Sequence, residues 1–447
     1  MNKNVALYLS QPVNTDFPVV LDQVQTYISE KFKELLNGKL QDSKPLLLSH
    51  IKKYLVENKL AVEGMDNEQL INRIYTEMAE FSFLTPYLNS IENNVEGIEI
   101  NSWQDIKVKY SDGRYERAKG HFLSPSHAKN VMERLLRQSG ITMDYTRPLV
   151  RGHLGKNIRI TVNGGGGTLD EDVGIAASIR FINPSHLTRA DMIRFGTITS
   201  EMMDFLCAAY RYGLSMMAAG ETDAGKTTFI SILMAAAVPN DKKLYTIENG
   251  TREFDLVKHD GNDQIINNVV HTVTRDTDDP ITQQMLLEQG MTMNPDYICM
   301  AEVKGSEAFE TTEAALTGHP VIGTTHTDCA ANIPDRLVQL ASIKSSTLTD
   351  KTLYSMVVKA FPILFYAEKM ADGKRRITEI CECQLEDDKP KVIPLWQYKT
   401  DYNEEINGKT IVHGEFVKCN IISSQLQTRL LRKGIPKDIL QSFVKEA

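Results

Sequence analysis

No apolar run in these 447 residues approaches the roughly 18 to 20 needed to cross a bilayer, so the sequence predicts no membrane-spanning helix. The opening, Met-Asn-Lys-Asn-Val-Ala-Leu-Tyr-Leu-Ser-Gln-Pro, has too short an apolar core for a secretory signal. The expectation is a cytoplasmic chain, with peripheral attachment at the cytoplasmic face of a membrane left open. Cysteine is sparse. The residues at 207, 299, 329, 381, 383 and 419 make neither a disulfide framework nor a paired metal-binding pattern, and they read as reduced thiols. Cys381 and Cys383 are two apart in a strand-like segment and share a face, but no second ligand pair with matching spacing accompanies them. An excess of positive charge is lacking too: 50 Lys and Arg against 58 Asp and Glu give a net charge of −8, which argues against a broad nucleic-acid surface. The most basic stretch, Lys31, Lys33, Lys39, Lys44, Lys52, Lys53 and Lys59, fits either a solvated helix face or contact with anionic lipid or a membrane partner. Internal repeats and low-complexity segments are absent.

What the chain does have is Gly220-Glu221-Thr222-Asp223-Ala224-Gly225-Lys226-Thr227, a full GxxxxGK[ST] phosphate loop. Apolar Leu214–Ala219 precedes it and the helix-like run Thr228–Ala237 follows, the strand-loop-helix context that the motif requires. Backbone N–H groups and a helix N-terminus are expected to face phosphates, Lys226 to place a cation over the outer two, and the Thr227 hydroxyl to complete a Mg²⁺ shell. Residues 220–228, through Thr228, therefore form the expected ATP-binding segment. The Asn-Lys-x-Asp sequence that reads guanine is missing after the loop, which argues against a GTPase.

The remaining pattern divides the chain. Apolar residues recur at three and four over Val20–Leu36, Leu47–Val56 and Leu70–Phe81, so residues 1–82 are expected to be helical. Val95–Asn101 and Asp105–Tyr110 alternate like strands around a turn at Ser111-Asp112-Gly113, and Pro125–Gln138 reads as a helix capped by Ser124. With strand-like Ile158–Val162 and Ile175–Phe181, residues 83–183 make an α+β domain. After the break at Asn183-Pro184-Ser185, strand and helix patterns alternate over 184–342 as in a parallel sheet with crossover helices. Residues 343–447 read as an extension of helix, a hairpin of Arg375–Gln384 with Lys391–Trp396, and a final amphipathic stretch, Ser423–Val444.

Three further segments bear on chemistry. Tyr297–Ala301 is an apolar strand that delivers Glu302 at its C-terminal end, where open α/β sheets bind ligands, and Glu302 is the first choice for activating water; capping of the helix near Ser306 is the alternative. Leu244–Ile247 stops at a charged cluster that includes Arg252 and Glu253, either a phosphate-facing group or a solvated loop. Val321–Thr325 ends at His326, a sensor of the terminal phosphate or a structural histidine.

In order and spacing, the phosphate loop, Ile-Glu-(Asn-Gly)-Thr-Arg-Glu, Asn-Pro-Asp-x₅-Glu-x-Lys and Thr-Gly-His-x₄-Thr-Thr-His resemble the Walker A, Asp, Walker B and His boxes of the type II/type IV secretion and pilus ATPase superfamily. Within it the chain looks most like the CpaF-like branch of tight-adherence pilus ATPases and their conjugation relatives, over about residues 80 to 445. Gly97–Asn101 with Ile106–Val108, Pro148 through Arg159, and Gly373–Ile380 resemble further segments of that branch.

The resemblance implies an α/β fold with a RecA-like motor domain, preceded by the smaller α+β domain, in a homo-hexameric ring that hydrolyses ATP with Mg²⁺. It also implies docking on inner-membrane platform proteins of a pilus or secretion machine. By the same match Glu253 assists the water or the metal, Glu302 positions the water, His326 reports phosphate state, and Arg159 and Arg180 offset charge on the transferred phosphoryl group. A conjugative motor acting on nucleic acid and an ATP-binding scaffold that hydrolyses weakly are the competing readings. Departures from the pattern are Asp223 in place of a glycine, an inserted Gly250, Asn249, Asn294, Ala301 and His153. Asp223 is expected to bring negative charge toward the phosphates and weaken ATP affinity.

Overall fold

The computed structural model describes residues 13–32, 40–89, 95–110, 114–155, 158–181, 187–275 and 279–444. The turn expected at Ser111-Asp112-Gly113, the break at Asn183-Pro184-Ser185, the opening segment through Pro12, and Lys33 and Lys39 lie outside those residues. The chain divides into two compact units, Met1–Asn183 and Pro184–Ala447.

In the first unit, helices α1 (Phe17–Lys31), α2 (Leu40–Glu57) and α3 (Asn67–Ala79) bring their apolar stripes together. Val20, Val24 and Ile28 meet Leu47, Ile51, Leu70 and Ile74 in one core. Asp66 starts α3 by a reciprocal capping box, accepting the Gln69 N–H at 2.8 Å while its own N–H donates to the Gln69 side chain at 3.2 Å. Short β1 (Val13–Asn14) runs parallel to β2 (Leu60–Ala61).

The alternating segments then form β3 (Val95–Ile100), β4 (Ile106–Tyr110), β5 (Tyr115–Arg117), β6 (Leu149–Leu154), β7 (Ile158–Asn163) and β8 (Ala176–Phe181). They make an antiparallel sheet in the order β5-β4-β3-β8-β7-β6. After the short α4 (Thr85–Asn89), α5 (Pro125–Arg137) covers one face, packing Val131, Leu135 and Leu136 on Ile98, Ile160 and Ile179. Ser124 caps α5, accepting the His127 N–H at 3.1 Å. Arg134 of α5 donates to the carbonyls of Glu77 at 2.8 Å and Glu80 at 2.9 Å, groups that the end of α3 would otherwise leave unpaired. The helices and the sheet are thereby tied into one body.

The second unit opens with α6 (Arg189–Arg194) and α7 (Ser200–Arg211), then alternates β9 (Met216–Gly220), α8 (Lys226–Ala237), β10 (Lys243–Glu248) and β11 (Asn268–Val273). Next come α9 (Gln283–Met291), β12 (Tyr297–Met300), α10 (Glu307–Leu316), β13 (Val321–Thr324), α11 (Ile333–Ser342) and α12 (Asp350–Ala360). Four strands follow, β14 (Ile363–Lys369), β15 (Arg375–Glu386), β16 (Lys389–Ile406) and β17 (Lys409–Lys418), before α13 (Ser424–Arg432) and α14 (Lys437–Phe443). All nine strands join one sheet, ordered β11-β10-β12-β13-β9-β14-β15-β16-β17. From β11 through β14 neighbours are parallel; from β14 onward they are antiparallel.

Both faces of this sheet are covered. Met216, Ala218, Cys299, Ile363 and Phe365 point into the core beneath α7, α8 and α13, while Met217, Ala219, Ile298, Met300 and Leu364 point into the core beneath α9 to α12. Strands buried on both sides need continuous apolar runs, which is what these segments supply. Cys381 and Cys383 share the second of these cores.

The C-terminal region differs from the expected extension. Ile363–Lys369 is a strand that pairs with β9 directly, so residues 343–447 continue the sheet of 184–342. The hairpin registers Gln384 with Lys391 and Ile380 with Trp396. The final amphipathic stretch is two helices, interrupted where Gly434 takes φ +89° and Pro436 caps α14.

Candidate functional site

The strand order brings the C-terminal ends of β10, β12, β13, β9 and β14 to one edge of a parallel array, the edge where such sheets place ligands. β9 ends at Gly220, where a Cβ would collide with the carbonyl oxygen of Ala367 on β14, so only glycine lets the loop leave the sheet here. Gly225, at φ +83°, caps α8 in the left-handed conformation that side chains resist. The helix thus begins at Lys226, and the N–H groups of Lys226, Thr227 and Thr228 lie in its first turn without carbonyl partners of the helix ladder. Those donors and the positive end of the helix dipole form a cradle for phosphate oxygens.

Lys226 is only 7% exposed. Its ammonium donates to the carbonyls of Gly220 at 2.8 Å and Glu221 at 2.7 Å, which folds the side chain over the mouth of the loop. Burial pushes its pKa down to about 8, against the upward pull of the Glu302 and Glu221 carboxylates. Lys226, opening the helix after β9, and Glu302, on the loop after β12, thus feel each other's charge across the end of β13.

Glu302 is fixed through its backbone. Its carbonyl accepts from Gln283 Nε2 at 2.7 Å, the carbonyl before it accepts from Thr324 Oγ1 at 2.5 Å, and the Val303 N–H donates to Thr324 O at 2.7 Å. Its carboxylate meets Lys304 Nζ at 3.3 Å and His326 Nε2 at 3.2 Å. Burial raises the carboxyl's pKa, but Lys304, His326 and the Asn249 amide outweigh it and hold the group below its ordinary value. Glu302 is therefore ionised at neutral pH and able to accept a proton or orient a water.

β10 delivers the charged cluster to the same edge. Glu253 follows a turn in which Gly250, at φ +71°, donates its N–H to Thr274 Oγ1 at 2.8 Å. The residue that shapes this turn is Glu248, which the sequence reading left unassigned. It is buried, and its carboxylate accepts the N–H groups of Glu253 and, at 2.8 Å, Phe254. Its position as the last residue of an apolar strand, ahead of a loop in need of acceptors, is the signal that marks it.

Asp223 takes φ +67°, the conformation that glycine would supply. Its expected negative field is compensated: Lys369 Nζ lies 2.8 Å from one carboxylate oxygen and Arg375 Nη2 2.7 Å from the other. Burial acts to raise this carboxyl, but the two cations prevail and lower it to about 2. Nothing in the sequence marks Lys369 or Arg375 as a site residue: the strand that carries Lys369 has no local signal, and the hairpin strand that opens at Arg375 gives no sign of the pairing that brings it to the loop.

Arg159 and Arg180 belong to the other unit, where they are direct partners across β7 and β8 and share the sheet face opposite the α5 core. His153 is Arg159's partner on β6. Among the described residues no group of three His, Cys, Asp or Glu side chains is placed to hold a metal alone. Mg²⁺ carried largely by phosphate oxygens and water, with Thr227 as protein ligand, is compatible with that donor set. No helix among the described residues is long and apolar enough to cross a membrane.

A family model described as Type II/IV secretion system protein matches residues 153–361. An uncharacterized protein of Methanocaldococcus jannaschii is 30% identical over 197 residues, 43% of this chain and 68% of that relative. The chain belongs to the type II/IV secretion system protein family. Arg159, Arg180, the phosphate loop, Glu253, Glu302 and His326 all fall within the matched span, whereas Lys369 and Arg375 lie beyond it. A Mycobacterium tuberculosis protein named for conjugal transfer is 23% identical over 340 residues, 74% of this type II/IV secretion family chain and 93% of the relative. Among solved structures, the VirB11 ATPase from the Brucella suis type IV secretion system, crystallised with sulphate, is similar at 21% identity and a TM-score of 0.35, over 67% of this chain and 94% of that one.

Proposed function

We propose that this protein is a Mg²⁺-dependent ATPase that powers pilus assembly or the secretion of a substrate through a membrane platform. It acts as a homo-hexamer of the CpaF-like branch, with an α+β domain over 83–183 ahead of a RecA-like motor domain over 184–342, whose sheet residues 343–447 continue. The observation that carries the reading is a buried Lys226 ammonium that feels the charge of an ionised Glu302 carboxylate, beside a glycine-cornered helix N-terminus. In this reading the first turn of α8 and Lys226 hold the phosphates and Thr227 ligates the metal. Glu302, aimed by His326 and Lys304, orients the water and draws off its proton, and Glu253 assists. Arg159 and Arg180 offset charge on the equatorial oxygens. Metal-bound ATP supplies the transferable phosphoryl group.

Turnover of ATP by the purified chain tests this, with Lys226→Ala as the control. Loss of nucleotide binding in the variant is expected, and full turnover by it would overturn the assignment. Imaging with a nonhydrolysable ATP analogue counts the subunits. A conjugative nucleic-acid motor is the second reading, favoured by the name of the mycobacterial relative. Stimulation of hydrolysis by single-stranded DNA, falling steeply with salt, would select it over the first.

A further inference from the structure

The β14–β15 hairpin reaches the phosphate loop with two cations, and a single carboxylate holds both. Arg375 donates through Nε to the backbone carbonyl of Asp223 at 2.8 Å and through Nη2 to its Oδ1 at 2.7 Å, while Lys369 Nζ donates to Oδ2 at 2.8 Å. The stem of Arg375 lies over Gly225, where a Cβ would come within 2.9 Å of its Cδ. A guanidinium bonded to the loop backbone in this way stands at the rim of the cradle, within a side-chain swing of whatever the loop N–H groups bind. The local sum of Lys369, Arg375 and Asp223 is one positive charge. The same rim also carries Glu221 and Glu368, the latter's carboxyl pushed up by burial and by Glu221 and Glu379.

We infer that Lys369 and Arg375 are phosphate-binding residues of this site, and that Asp223 is a positioning residue which holds them and competes for them with the polyphosphate of a nucleoside triphosphate. Asp223 thereby sets affinity downward and keeps release of the nucleotide fast. This rests on the nucleotide-site reading above and adds to it a counter-charge that glycine at 223 would lack. The group exchanged is an ion-pair partner: both cations leave a carboxylate at the loop tip for phosphate oxygens, and the freed carboxylate turns to solvent. Arg375 suits the exchange because its planar fork bonds carboxylate and phosphate equally well.

The sign of a charge substitution separates this from a role in loop folding. If the triad only stiffened the loop, removing either side would weaken binding. If Asp223 competes, Asp223→Asn tightens binding while Lys369→Gln and Arg375→Gln weaken it. The experiment titrates the full chain and each variant with a nonhydrolysable ATP analogue and Mg²⁺ at several salt concentrations, with melting curves to confirm folding. Asp223→Asn is expected to tighten binding on the order of fivefold and to steepen the dependence on salt, as removal of one like charge near a polyanion should. Lys369→Gln and Arg375→Gln are expected to weaken it by a similar factor with a shallower dependence. Weaker or unchanged binding by Asp223→Asn, with the parent chain binding normally, overturns the inference and leaves the ATPase reading intact. Should Asp223→Asn fail to fold, Asp223→Gly, which suits the φ of +67°, takes its place with the same two outcomes. A parent chain that binds no analogue, and matches Lys226→Ala in that, sinks both.

Discussion

Nε2 of His326 lies 3.2 Å from Oε1 of Glu302, although the two stand at the ends of different strands, β13 and β12. The contact exists because Thr324 and Thr325 bind the Glu302 turn from its other side, at Ala301 O and Val303 O. A carboxylate held by backbone bonds and aimed by an imidazole is suited to orient a water. Glu302→Gln is expected to retain binding of a nonhydrolysable ATP analogue while turnover falls by about 10² to 10⁴, the usual contribution of a general base. His326→Ala should cost less, about tenfold, and in kcat more than KM. Steady-state kinetics beside equilibrium binding measures both.

The Lys226 ammonium gives a pH dependence. Burial sets its pKa at about 8, and phosphate oxygens stabilise the charged form, so binding raises that pKa. Below pH 8 the lysine is already protonated and affinity is flat with pH. Above it, binding must take up a proton, and affinity falls by up to about tenfold per pH unit. Titrations between pH 6.5 and 9.5 are expected to show this break, and Lys226→Arg, charged throughout, should not show it at this pH.

Much of this site was legible in the sequence because the phosphate loop constrains its own surroundings. Gly220 and Gly225 belong to the motif itself, and the structure gives each a backbone reason, one by close approach to Ala367 and one by its left-handed cap. Glu302 and His326 followed from apolar strands that end in a polar residue. What was not legible depends on pairing between distant segments. The segment 363–367 is as apolar and buried as the central strands of the sheet, but it follows a helix and precedes a hairpin, and nothing local marks its partner as β9. Without that pairing Phe365, which packs edge-on against Phe229 of α8, stays hidden, and so does the approach of Lys369 and of Arg375, at the start of the next strand, to Asp223. The charge of Asp223 by itself predicts a loss of affinity; the two cations it holds are the structural addition. Glu248 was obscured in the opposite way, since a carboxylate beside Arg252 and Glu253 looks solvated until the loop folds its N–H groups onto it.

Glu248 is expected to be structural in the site and not chemical. It is 1% exposed and accepts two backbone N–H groups from the turn that carries Glu253. Glu248→Ala leaves those donors buried without acceptors, at a cost of about 1–3 kcal/mol. Glu248→Gln keeps an acceptor oxygen and should recover most of that loss. Urea denaturation of the two variants measures the difference, and similar instability in both would mean that the charge, not the acceptor, holds the turn.

Arg159 and Arg180 face each other across β7 and β8, on the face away from the α5 core, and like charges directly opposite in a sheet oppose pairing. The proposed function gives the pair a use beyond the sheet's own packing. If that use is to offset phosphoryl charge during hydrolysis, then Arg159→Ala and Arg180→Ala should leave the melting temperature little changed. Turnover should meanwhile fall by about 10³ or more, the scale of an arginine reaching a transferring phosphoryl group. Binding of a nonhydrolysable analogue would change far less, since the charge in question develops only in the transition state. Melting curves, analogue binding and turnover on the same preparations decide it. A loss of stability that accounts for the loss of turnover would return both arginines to the structure of the sheet.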